Sequence, residues 1–334
     1  MKKRSINLLY RTIFQNGPDL SAVALGTDYY GKLISEESAC RLLDTYLELG
    51  GNIIDTAHAY SDWLPGERHM SEKVIGRWLK STKQRDRVLL ATKGAFPEIG
   101  NYHASRLSRR DIEQDLNESL QCLGVEQIDL YWLHRDHESV PAEQIVEWMN
   151  DFIRQGKIRY LGVSNWRAER ISAANQYAEK QRLCGFSASQ VMWSLARPTA
   201  GAIQDDTIVM MDHGEYQWYE KKRFPVFAYS SQAKGFFAKL RVEDGNFIKP
   251  DGKAGDRYFN EQNCKTYEWL RSLQSRYQAG VNQLALAWLM RTPFVTIPII
   301  GSRTIEQLRD SMAAVQWTGL EELADRRYLS AGDI

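Results

Sequence analysis

The sequence predicts an α/β fold, a parallel (β/α)8 barrel (TIM barrel) formed by a single domain over residues 1–334. Eight short apolar runs lack strict polar alternation, which is typical of strands buried on both faces. These runs are 22–25, 52–55, 88–92, 128–133, 158–163, 186–191, 225–230 and 294–299. Amphipathic stretches of helical spacing accompany them, at 36–49, 72–80, 109–123, 142–154, 168–181, 266–276, 283–290 and 305–314. Because strand and helix alternate along one uninterrupted chain, a closed barrel is favoured over an open sheet with a second domain.

Further local patterns predict helix starts, a hairpin and two long loops. Ser35, Ser71 and Ser108 stand at the starts of predicted helices, as is typical of helix-capping residues. Residues 8–17 predict a β-hairpin that closes the barrel floor, with its turn at 16–17. Segments 196–215 and 241–263 predict long loops after the sixth and seventh strands, on the rim where barrel enzymes keep their sites.

The charge balance and the cysteines exclude several classes of protein. With 43 basic and 42 acidic residues the net charge is +1, so nothing favours nucleic acid or an anionic membrane as a partner. The four cysteines are widely spaced without a C-x-x-C pair, which argues against a disulfide framework and fits a reducing compartment. No run resembles the apolar core of a signal peptide or a membrane span. We therefore expect a cytoplasmic protein.

Polar residues stand at the ends of three consecutive predicted strands. The second strand ends at Asp55 and is followed by Tyr60. The third ends at Lys93 and the fourth at His134. Taken singly, each has a structural alternative: a helix cap, a loop aromatic, a solvated lysine or a hydrogen-bonded core histidine. In a closed barrel, however, the ends of neighbouring strands lie about 5 Å apart, so these side chains converge on one point.

A lysine beside Tyr60 gives that tyrosine a chemical role. Held by Asp55, Lys93 stays charged, and a nearby positive charge favours the tyrosinate. We therefore expect the pKa of Tyr60 to fall below its ordinary value of about 10. A lower pKa makes the phenol a better proton donor near neutral pH, so the sequence predicts a general acid with its tuning groups beside it.

Three motifs carry a resemblance to a known family: DTAHAY at 55–60, ATK at 91–93 and DLYWLH at 129–134. They resemble the Asp, Tyr, Lys and His tetrad of the aldo/keto reductases, and the likeness extends from VALGT to IPIIGSRTIEQL. It implies catalytic roles for Asp55, Tyr60, Lys93 and His134. The implied reaction is direct hydride transfer between a nicotinamide and the carbonyl or alcohol carbon of a small aldehyde, ketone or sugar-like substrate. Tyr60 would protonate the oxygen and His134 would orient it.

The resemblance also implies a nicotinamide nucleotide across the barrel mouth, since no G-x-G-x-x-G follows a strand and a Rossmann site is unsupported. The implied cofactor-binding residues are Gly26, Thr27, Asp55, Ser164, Asn165, Gln190, Tyr229, Ser230, Ser231, Gly301, Ser302, Arg303 and Gln307. Ser164, Asn165 and Gln190 would hold the carboxamide. Ser164 and Asn165 could instead cap the helix that begins near Arg167.

The nicotinamide ring, the pyrophosphate and the 2′-phosphate have implied partners as well. Tyr229 would stack on the nicotinamide ring, and Ser230 and Ser231 would reach the pyrophosphate. The following SSQAKGFF stands where many family members have a Ser-Pro-Leu-Gly type loop, and Lys234 could compensate or be solvated. Arg303 supplies a guanidinium for a 2′-phosphate, so NADPH is favoured over NADH.

Rim aromatics, together with the two long segments, are expected to select the substrate. They are Tyr29, Tyr30, Trp63, Phe96, Trp166 and Trp193. Flat aromatic surfaces suit aromatic aldehydes or the apolar faces of sugars and cyclitols. The expected partner is therefore a small carbonyl or polyol, bound by a monomer or a weak homo-oligomer.

Two rival functions have less support. His58, His134 and His137 lack the H-E-x-x-H arrangement and a nearby carboxylate set, so no metal site is expected. Some proteins that resemble the family are cofactor-binding regulatory subunits of ion channels with little turnover. The short amino terminus offers no partner-binding extension that would favour this role.

Overall fold

The computed structural model describes residues 10–324, and eight of its strands close into a parallel barrel. The strands are β1 (Tyr10–Arg11), β2 (Leu20–Ser21), β3 (Ala24–Gly26), β4 (Ile53–Asp55), β5 (Leu89–Gly94), β6 (Ile128–Leu133), β7 (Ile158–Ser164), β8 (Ala188–Met192), β9 (Val226–Tyr229), β10 (Arg241–Glu243), β11 (Asn246–Ile248) and β12 (Thr296–Ile300). The order around the barrel is β12-β3-β4-β5-β6-β7-β8-β9. Each predicted strand contributes one of these, so the predicted (β/α)8 fold is confirmed.

Helices cover the outside of the barrel. They are α1 (Glu36–Glu48), α2 (Met70–Thr82), α3 (Arg109–Leu123), α4 (Ala142–Arg154), α5 (Ala168–Gln181), α6 (His213–Lys222), α7 (Phe236–Lys239), α8 (Lys253–Tyr258), α9 (Glu261–Tyr277), α10 (Val281–Met290) and α11 (Ile305–Met312). Each predicted helical stretch overlaps one of these helices. Within residues 10–324, no helix combines the length and the apolar character that crossing a bilayer requires.

The predicted helix starts are correct at two of the three serines. Ser35 and Ser108 each accept a hydrogen bond from the backbone N–H three residues further on. The prediction for Ser71 is wrong, because α2 begins at Met70, two residues before the predicted start, and follows His69, whose φ of 59° is left-handed. The Ser71 hydroxyl donates instead to the carbonyl oxygen of Thr27 at 2.8 Å. That bond joins α2 to the carboxyl end of β3.

A hairpin lies at the amino-terminal end of the described chain, as predicted, but extends further along the sequence. Its strands β1 and β2 pair in antiparallel register, so the connection is longer than the predicted turn at 16–17. The predicted start at Leu8 lies outside the described residues. Phe14 in the connection stacks on Tyr160 with ring centroids 3.7 Å apart. Through Phe14 the hairpin joins the apolar side chains inside the barrel.

The two long segments on the rim carry short elements that the sequence analysis did not predict. Asp212 caps α6 by accepting from the N–H of Glu215 at 2.8 Å, an Asp-x-x-Glu pattern typical of a helix start. In the second segment, β10 and β11 form a hairpin. Its turn residues Asp244 and Gly245 have φ of 49° and 79°, as a type I′ turn requires. Both signals are visible in the sequence.

Side chains of the barrel strands alternate between its interior and the layer under the helices. In β5, Leu89 and Ala91 belong to the interior cluster, whereas Leu90 packs under the helices. The same period of two places Ile53 of β4 and Leu130 of β6 inside. The interior is therefore apolar up to the carboxyl ends of the strands.

A buried carboxyl on α2 makes stability depend on pH. Glu72 is fully buried, and its Oε1 accepts a hydrogen bond from the Thr92 hydroxyl at 2.6 Å. Burial raises the pKa of Glu72 to about 7, whereas a glutamate in an unfolded chain has a pKa of about 4.3. Because the folded state keeps the proton over this range, the free energy of unfolding falls as pH rises from about 4.3 to about 7.

We expect Glu72→Gln to reduce the loss of stability between about pH 5.5 and pH 8 by about 2 kcal/mol, because glutamine does not ionise. Urea unfolding at both pH values measures this difference. Glu48→Gln, the same change at an exposed position of α1, should behave as the wild type. If Glu72→Gln keeps the full pH dependence, Glu72 is not the group that titrates.

Candidate active site

The last inward-facing residue of three neighbouring strands is polar. Asp55 in β4, Lys93 in β5 and His134 just past β6 each stand two positions after a residue of the apolar interior. The alternation of the strands therefore directs all three side chains into the barrel mouth. All three are buried, with at most 8% of their surface exposed. The structure thus brings the three predicted residues together.

The ammonium group of Lys93 is the centre of this cluster. Its Nζ donates to Asp55 Oδ2 at 2.6 Å and to the phenolic oxygen of Tyr60 at 2.8 Å. A third bond goes to the carbonyl oxygen of Thr56, at 2.8 Å. The amide of Gln190 donates to Asp55 Oδ1 at 3.0 Å. All three ammonium protons and both carboxylate oxygens are therefore used.

Burial dominates the ionisation of these groups. It raises the pKa of Asp55 and lowers that of Lys93, while the ion pair between them opposes both shifts. Burial and the carboxyls of Asp55 and Asp28 raise the pKa of Tyr60 well above its ordinary value. The sequence predicts a lowered pKa, and this direction is wrong for the ligand-free site, because burial of the phenolate and the nearby carboxyls outweigh the opposing positive charge of Arg135. At neutral pH Tyr60 is a protonated phenol.

His134 lies beside the tyrosine as a neutral ring. Its centroid is 6.1 Å from that of Tyr60 and 4.6 Å from that of Phe96. Burial and the positive charges of Arg135 and Lys93 hold the pKa of His134 well below its ordinary value. Nδ1 is buried without a hydrogen-bond partner among residues 10–324. Because an unpaired buried N–H is rarer than an unpaired acceptor, the proton belongs on Nε2.

Arg135 connects the tetrad to the rim segment after β8. Its Nε donates to Thr207 Oγ1 at 3.0 Å and its Nη2 to Asp205 Oδ2 at 3.1 Å. The guanidinium carbon lies 5.1 Å from the centroid of the Phe96 ring. Sequence reasoning missed this residue, because its partners are about seventy positions away and no local pattern joins them.

Asn165, just past β7, joins several rim segments. Its φ of 58° is left-handed, a conformation that asparagine tolerates better than most residues. Oδ1 accepts from the N–H of Val209 at 3.1 Å and from the Tyr229 hydroxyl at 2.7 Å. Nδ2 donates to Ser164 Oγ at 3.0 Å and to the carbonyl oxygen of His134 at 3.3 Å. The residue that precedes α5 is Arg167 and its N-terminus has no side-chain cap, so the alternative that Ser164 and Asn165 cap α5 is wrong.

Comparison of the whole chain with known proteins agrees with this geometry. A family model described as the aldo/keto reductase family matches residues 22–322, which include every barrel strand. The chain belongs to the aldo/keto reductase family. It is similar to the uncharacterized oxidoreductase YrpG of Bacillus subtilis, at 30% identity over 92% of this chain and 91% of that protein.

Two further relatives of this aldo/keto reductase have names that state a substrate. Norsolorinic acid reductase B of Dothistroma septosporum is 30% identical over 86% of this chain and 70% of its own length. The putative aryl-alcohol dehydrogenase AAD14 of Saccharomyces cerevisiae is 27% identical over 89% of this chain and 78% of its own length. Family membership makes this chain an oxidoreductase.

At the mouth of the barrel of this aldo/keto reductase, the chain turns sharply after β9. Ser230 and Lys234 both have left-handed φ, at 53° and 58°. The Ser231 hydroxyl is buried and donates to the carbonyl oxygen of Ile299 at 2.6 Å. The predicted reach of the Ser231 side chain toward a pyrophosphate is therefore corrected, because the hydroxyl is directed at β12.

Gln232 is a residue of this turn that sequence reasoning missed. Its Nε2 donates to Asn282 Oδ1 at 3.1 Å and to Ser311 Oγ at 2.9 Å. Its Oε1 accepts from the N–H of Gly301 at 3.2 Å. One amide side chain therefore links the turn after β9 to α10, to α11 and to the end of β12.

The residues after β12 form the amino-terminal end of α11. Ser302 Oγ is buried and has no hydrogen-bond partner among the described residues. Arg303 is exposed, with its guanidinium carbon 4.9 Å from the centroid of the Tyr29 ring. The backbone N–H of Arg303 donates to Gln307 Oε1 at 2.9 Å. A helix amino terminus with a guanidinium beside it favours an anionic group.

Gly26 and Thr27 hold the carboxyl end of β3 close to the ends of its two neighbouring strands. A Cβ on Gly26 would lie 2.8 Å from Ile299 Cγ2, so glycine allows β3 to approach β12. The Thr27 hydroxyl is buried and donates to the carbonyl oxygen of Asp55 at 3.1 Å. The structure thus places these two predicted residues where they fix the strand ends.

Three predicted rim aromatics surround the tetrad. The ring centroid of Trp63 lies 6.2 Å from that of Tyr60 and 6.3 Å from that of Tyr29. Phe96 packs against His134, with ring centroids 4.6 Å apart. The mouth is therefore bounded by flat apolar surfaces beside a polar floor.

The other three predicted rim aromatics do not line the mouth. Tyr30 and Trp166 have no exposed surface and Trp193 is 5% exposed. Trp166 packs on Phe186 at a centroid distance of 5.2 Å, and Trp193 on Trp288 at 5.9 Å. All three belong to the layer between barrel and helices. Their predicted role in substrate binding is corrected, because a side chain closed off from solvent cannot contact a ligand in the mouth.

The remaining groups along the mouth fit a nicotinamide nucleotide. The ring of Tyr229 ends β9, the amide of Asn165 follows β7, and the Ser302 hydroxyl, which has no hydrogen-bond partner among residues 10–324, follows β12. Lys234 and Arg303 are exposed, and their positive charges oppose the rise that burial causes in the pKa of Asp28. An aromatic ring followed by polar and cationic groups suits a flat base joined to phosphates.

Proposed function

We propose that this aldo/keto reductase transfers hydride between NADPH and the carbonyl or alcohol carbon of a small aldehyde, ketone or sugar-like substrate. It would thus be an NADP-dependent oxidoreductase acting on CH–OH groups. The observation that carries the proposal is the phenolic oxygen of Tyr60, 2.8 Å from Lys93 Nζ, which is itself bonded to Asp55 at 2.6 Å. A protonated phenol at the mouth of a closed barrel is a general acid placed where a carbonyl oxygen can reach it.

Each member of the tetrad has a distinct task in this proposal. The bound nicotinamide supplies or accepts the hydride. Tyr60 donates its proton to the carbonyl oxygen as negative charge develops there, and takes it back in alcohol oxidation. His134, as a neutral ring with its proton on Nε2, donates the hydrogen bond that orients this oxygen. Lys93 stabilises the tyrosinate that remains, and Asp55 holds Lys93 in place.

The cofactor proposal uses the other residues of the mouth. Asn165 would bind the carboxamide and Tyr229 would stack on the ring. Ser230 would lie at the pyrophosphate, and Ser302 and Arg303 at the adenosine phosphate. The guanidinium of Arg303 supports NADPH over NADH, because it pairs with a phosphate through two parallel hydrogen bonds.

We expect Arg303→Gln to weaken NADPH binding about 10- to 100-fold and NADH binding less than about threefold, because a charge-assisted hydrogen bond contributes about 1.5–3 kcal/mol. Quenching of protein fluorescence by each nucleotide measures both affinities. Arg309→Gln, the same change at an exposed position of α11, should bind both nucleotides as the wild type does. Equal weakening for both nucleotides in Arg303→Gln would show that Arg303 does not contact the 2′-phosphate.

The proposed substrate class follows from the walls of the mouth. Trp63 and Phe96 offer flat apolar faces next to Tyr60 and His134. Such faces accept an aromatic ring or the apolar face of a sugar, with the reacting oxygen toward the tetrad. The name of one relative, an aryl-alcohol dehydrogenase, agrees with the aromatic alternative.

The proposal is tested by binding and turnover in one preparation. NADPH and NADH are titrated by protein fluorescence, and oxidation of NADPH is then followed with a panel of aromatic aldehydes, ketoses and inosose-type ketones. Tight NADPH binding with turnover on one of these classes supports the reductase and names its substrate class. Binding without turnover would favour the cofactor-binding regulatory subunit, and absence of nucleotide binding would overturn the proposal.

A further inference from the structure

Two histidines and a glutamate meet outside the barrel, behind the segment that carries Tyr60. His58 lies between β4 and α2, His69 directly precedes α2, and Glu118 lies on α3. The two imidazole rings are stacked with centroids 3.9 Å apart. One ligand atom from each of the three residues lies within 4.8 Å of the other two. The tetrad does not use any of these side chains.

The ring of His69 has one nitrogen available for a cation. Its Nδ1 lies 2.7 Å from the carbonyl oxygen of His58, and a carbonyl oxygen can only accept, so Nδ1 carries a proton. In the neutral ring, Nε2 then has an unshared electron pair. It faces Glu118 Oε2, another acceptor, at 3.8 Å. Two acceptors that face each other across this distance are stabilised by a cation between them.

The two ring nitrogens of His58 also face acceptors. Its Nε2 lies 2.7 Å from Glu118 Oε2, and its Nδ1 lies 3.8 Å from Asp115 Oδ1. Asp115 is fixed in turn by the guanidinium of Arg106, whose Nη2 is 2.6 Å from its Oδ1. Metal-binding histidines typically direct their second nitrogen at a carboxylate or a backbone carbonyl. The second nitrogen of His58 faces the carboxylate of Asp115, and that of His69 faces the carbonyl oxygen of His58 together with Asp62 Oδ2 at 3.3 Å.

We propose that His58, His69 and Glu118 bind one divalent transition metal ion of the Zn²⁺ type, with water as the fourth ligand. Two imidazoles and one carboxylate favour zinc or cobalt over magnesium or calcium, which prefer ligand sets of oxygen alone. The ion would replace the proton on His58 Nε2, and Nδ1 would carry the proton toward Asp115. The site is independent of nicotinamide binding.

The distances from the Glu118 oxygen to the two nitrogens bracket the separation found in a tetrahedral zinc site. Ligand atoms around zinc lie about 3.3 Å apart, given bond lengths of about 2.0–2.1 Å. Here the Glu118 oxygen is 2.7 Å from one nitrogen and 3.8 Å from the other. A movement of the carboxylate by about half an ångström from His58 toward His69 would bring both distances close to this value. The side chain of Glu118 is 39% exposed, which leaves it free to move and gives an ion a path from solvent.

The expectation that the chain has no metal site was based on His58, His134 and His137, and no local motif joins His58 to His69 and Glu118. His58 is 11 positions from His69 and 60 from Glu118. Only the barrel, which packs α2 against α3, brings them together. A bound ion would fasten both ends of the 58–69 segment to α3, and this segment contains Tyr60 and Trp63.

The test uses the untagged chain after dialysis against a chelator, titrated with Co²⁺. We expect one Co²⁺ per chain, with the intense visible absorption of a four-coordinate centre, and displacement of that ion by Zn²⁺. His69→Asn keeps a residue that tolerates left-handed φ, and Glu118→Gln keeps the size of the side chain. Each should weaken binding at least about tenfold. His103→Gln, at a histidine that is 72% exposed and pairs with Asp206, should bind as the wild type does.

Thermal unfolding gives a second readout, which does not depend on the visible absorption of Co²⁺. Zn²⁺ should raise the Tm of the wild type and of His103→Gln, and leave that of the His69→Asn, Glu118→Gln double variant unchanged, because an ion stabilises only the state that binds it. Circular dichroism without metal confirms that the double variant is folded. No four-coordinate absorption in the wild type, or equal Co²⁺ affinity in the double variant, would overturn the proposal and leave a purely hydrogen-bonded cluster.

Discussion

Tyr60→Phe is expected to slow carbonyl reduction about 10²- to 10⁴-fold, the usual contribution of a positioned general acid. Nucleotide affinity should change little, because the phenolic oxygen bonds to Lys93 at 2.8 Å and the ring keeps its place against Trp63. The measurement is kcat with the best substrate of the panel, with NADPH affinity measured by fluorescence on the same sample. The loss should appear in kcat and kcat/KM alike, because the lost interaction forms only in the transition state.

A matched substitution shows whether the loss of carbonyl reduction is specific to Tyr60. Tyr177→Phe also removes one hydroxyl, on α5, where the phenol donates to Glu147 at 2.8 Å on the outside of the barrel. It should keep the activity of the wild type. If Tyr60→Phe retained more than about a tenth of that activity, another group would have to supply the proton.

Lys93→Met is expected to reduce the free energy of unfolding by about 3–5 kcal/mol, because it leaves the carboxylate of Asp55 buried without its countercharge. The lysine is 1% exposed and the aspartate 0%, so water cannot replace the lost partner. Urea unfolding at neutral pH measures the effect. Carbonyl reduction should be lost as well, since Tyr60 no longer has a cation to stabilise its conjugate base.

The double variant Asp55→Asn, Lys93→Met separates charge from packing. Asparagine keeps an oxygen that can accept from Gln190, which donates to Asp55 Oδ1 at 3.0 Å. With neither charge present, at least about half of the lost stability should return. If the double variant were no more stable than Lys93→Met, the loss would come from packing of the lysine stem and not from the stranded carboxylate.

Three members of the tetrad could be predicted from the sequence because their signal is local, whereas Tyr60 lies five residues past β4 and its role follows from the family resemblance. In a strand the side-chain period is two, so an apolar run that ends in an inward polar residue identifies that residue without knowledge of the fold. Asp55, Lys93 and His134 each continue such a run. Closure of the barrel then brings neighbouring strand ends together, whatever the loops do.

The same reasoning fails one or a few residues beyond a strand. Trp193 directly follows β8, Trp166 lies two residues past β7 and Tyr30 four residues past β3. There the alternation has ended, and the path of the loop decides whether a ring turns to the mouth or under a helix. All three rings turn under the helices.

The sequence also could not predict contacts between distant segments or the direction of pKa shifts. Gln232 bonds to Gly301 and Ser311, about seventy to eighty positions away. The sign of the shift at Tyr60 depends on how fully the phenol is removed from water, and the identity of its neighbours alone does not determine this.

The amide oxygen of Asn165 already holds two partners, the N–H of Val209 and the hydroxyl of Tyr229. Any ligand donor that bonds to this oxygen competes with both. By thermodynamic linkage, the affinity for such a ligand and the docking of the rim segment that contains Val209 are then one coupled equilibrium. A substitution far out on that segment, with no contact to the ligand, would therefore change ligand affinity, and occupancy of the mouth would change the exposure of the segment to proteases by the same coupling free energy.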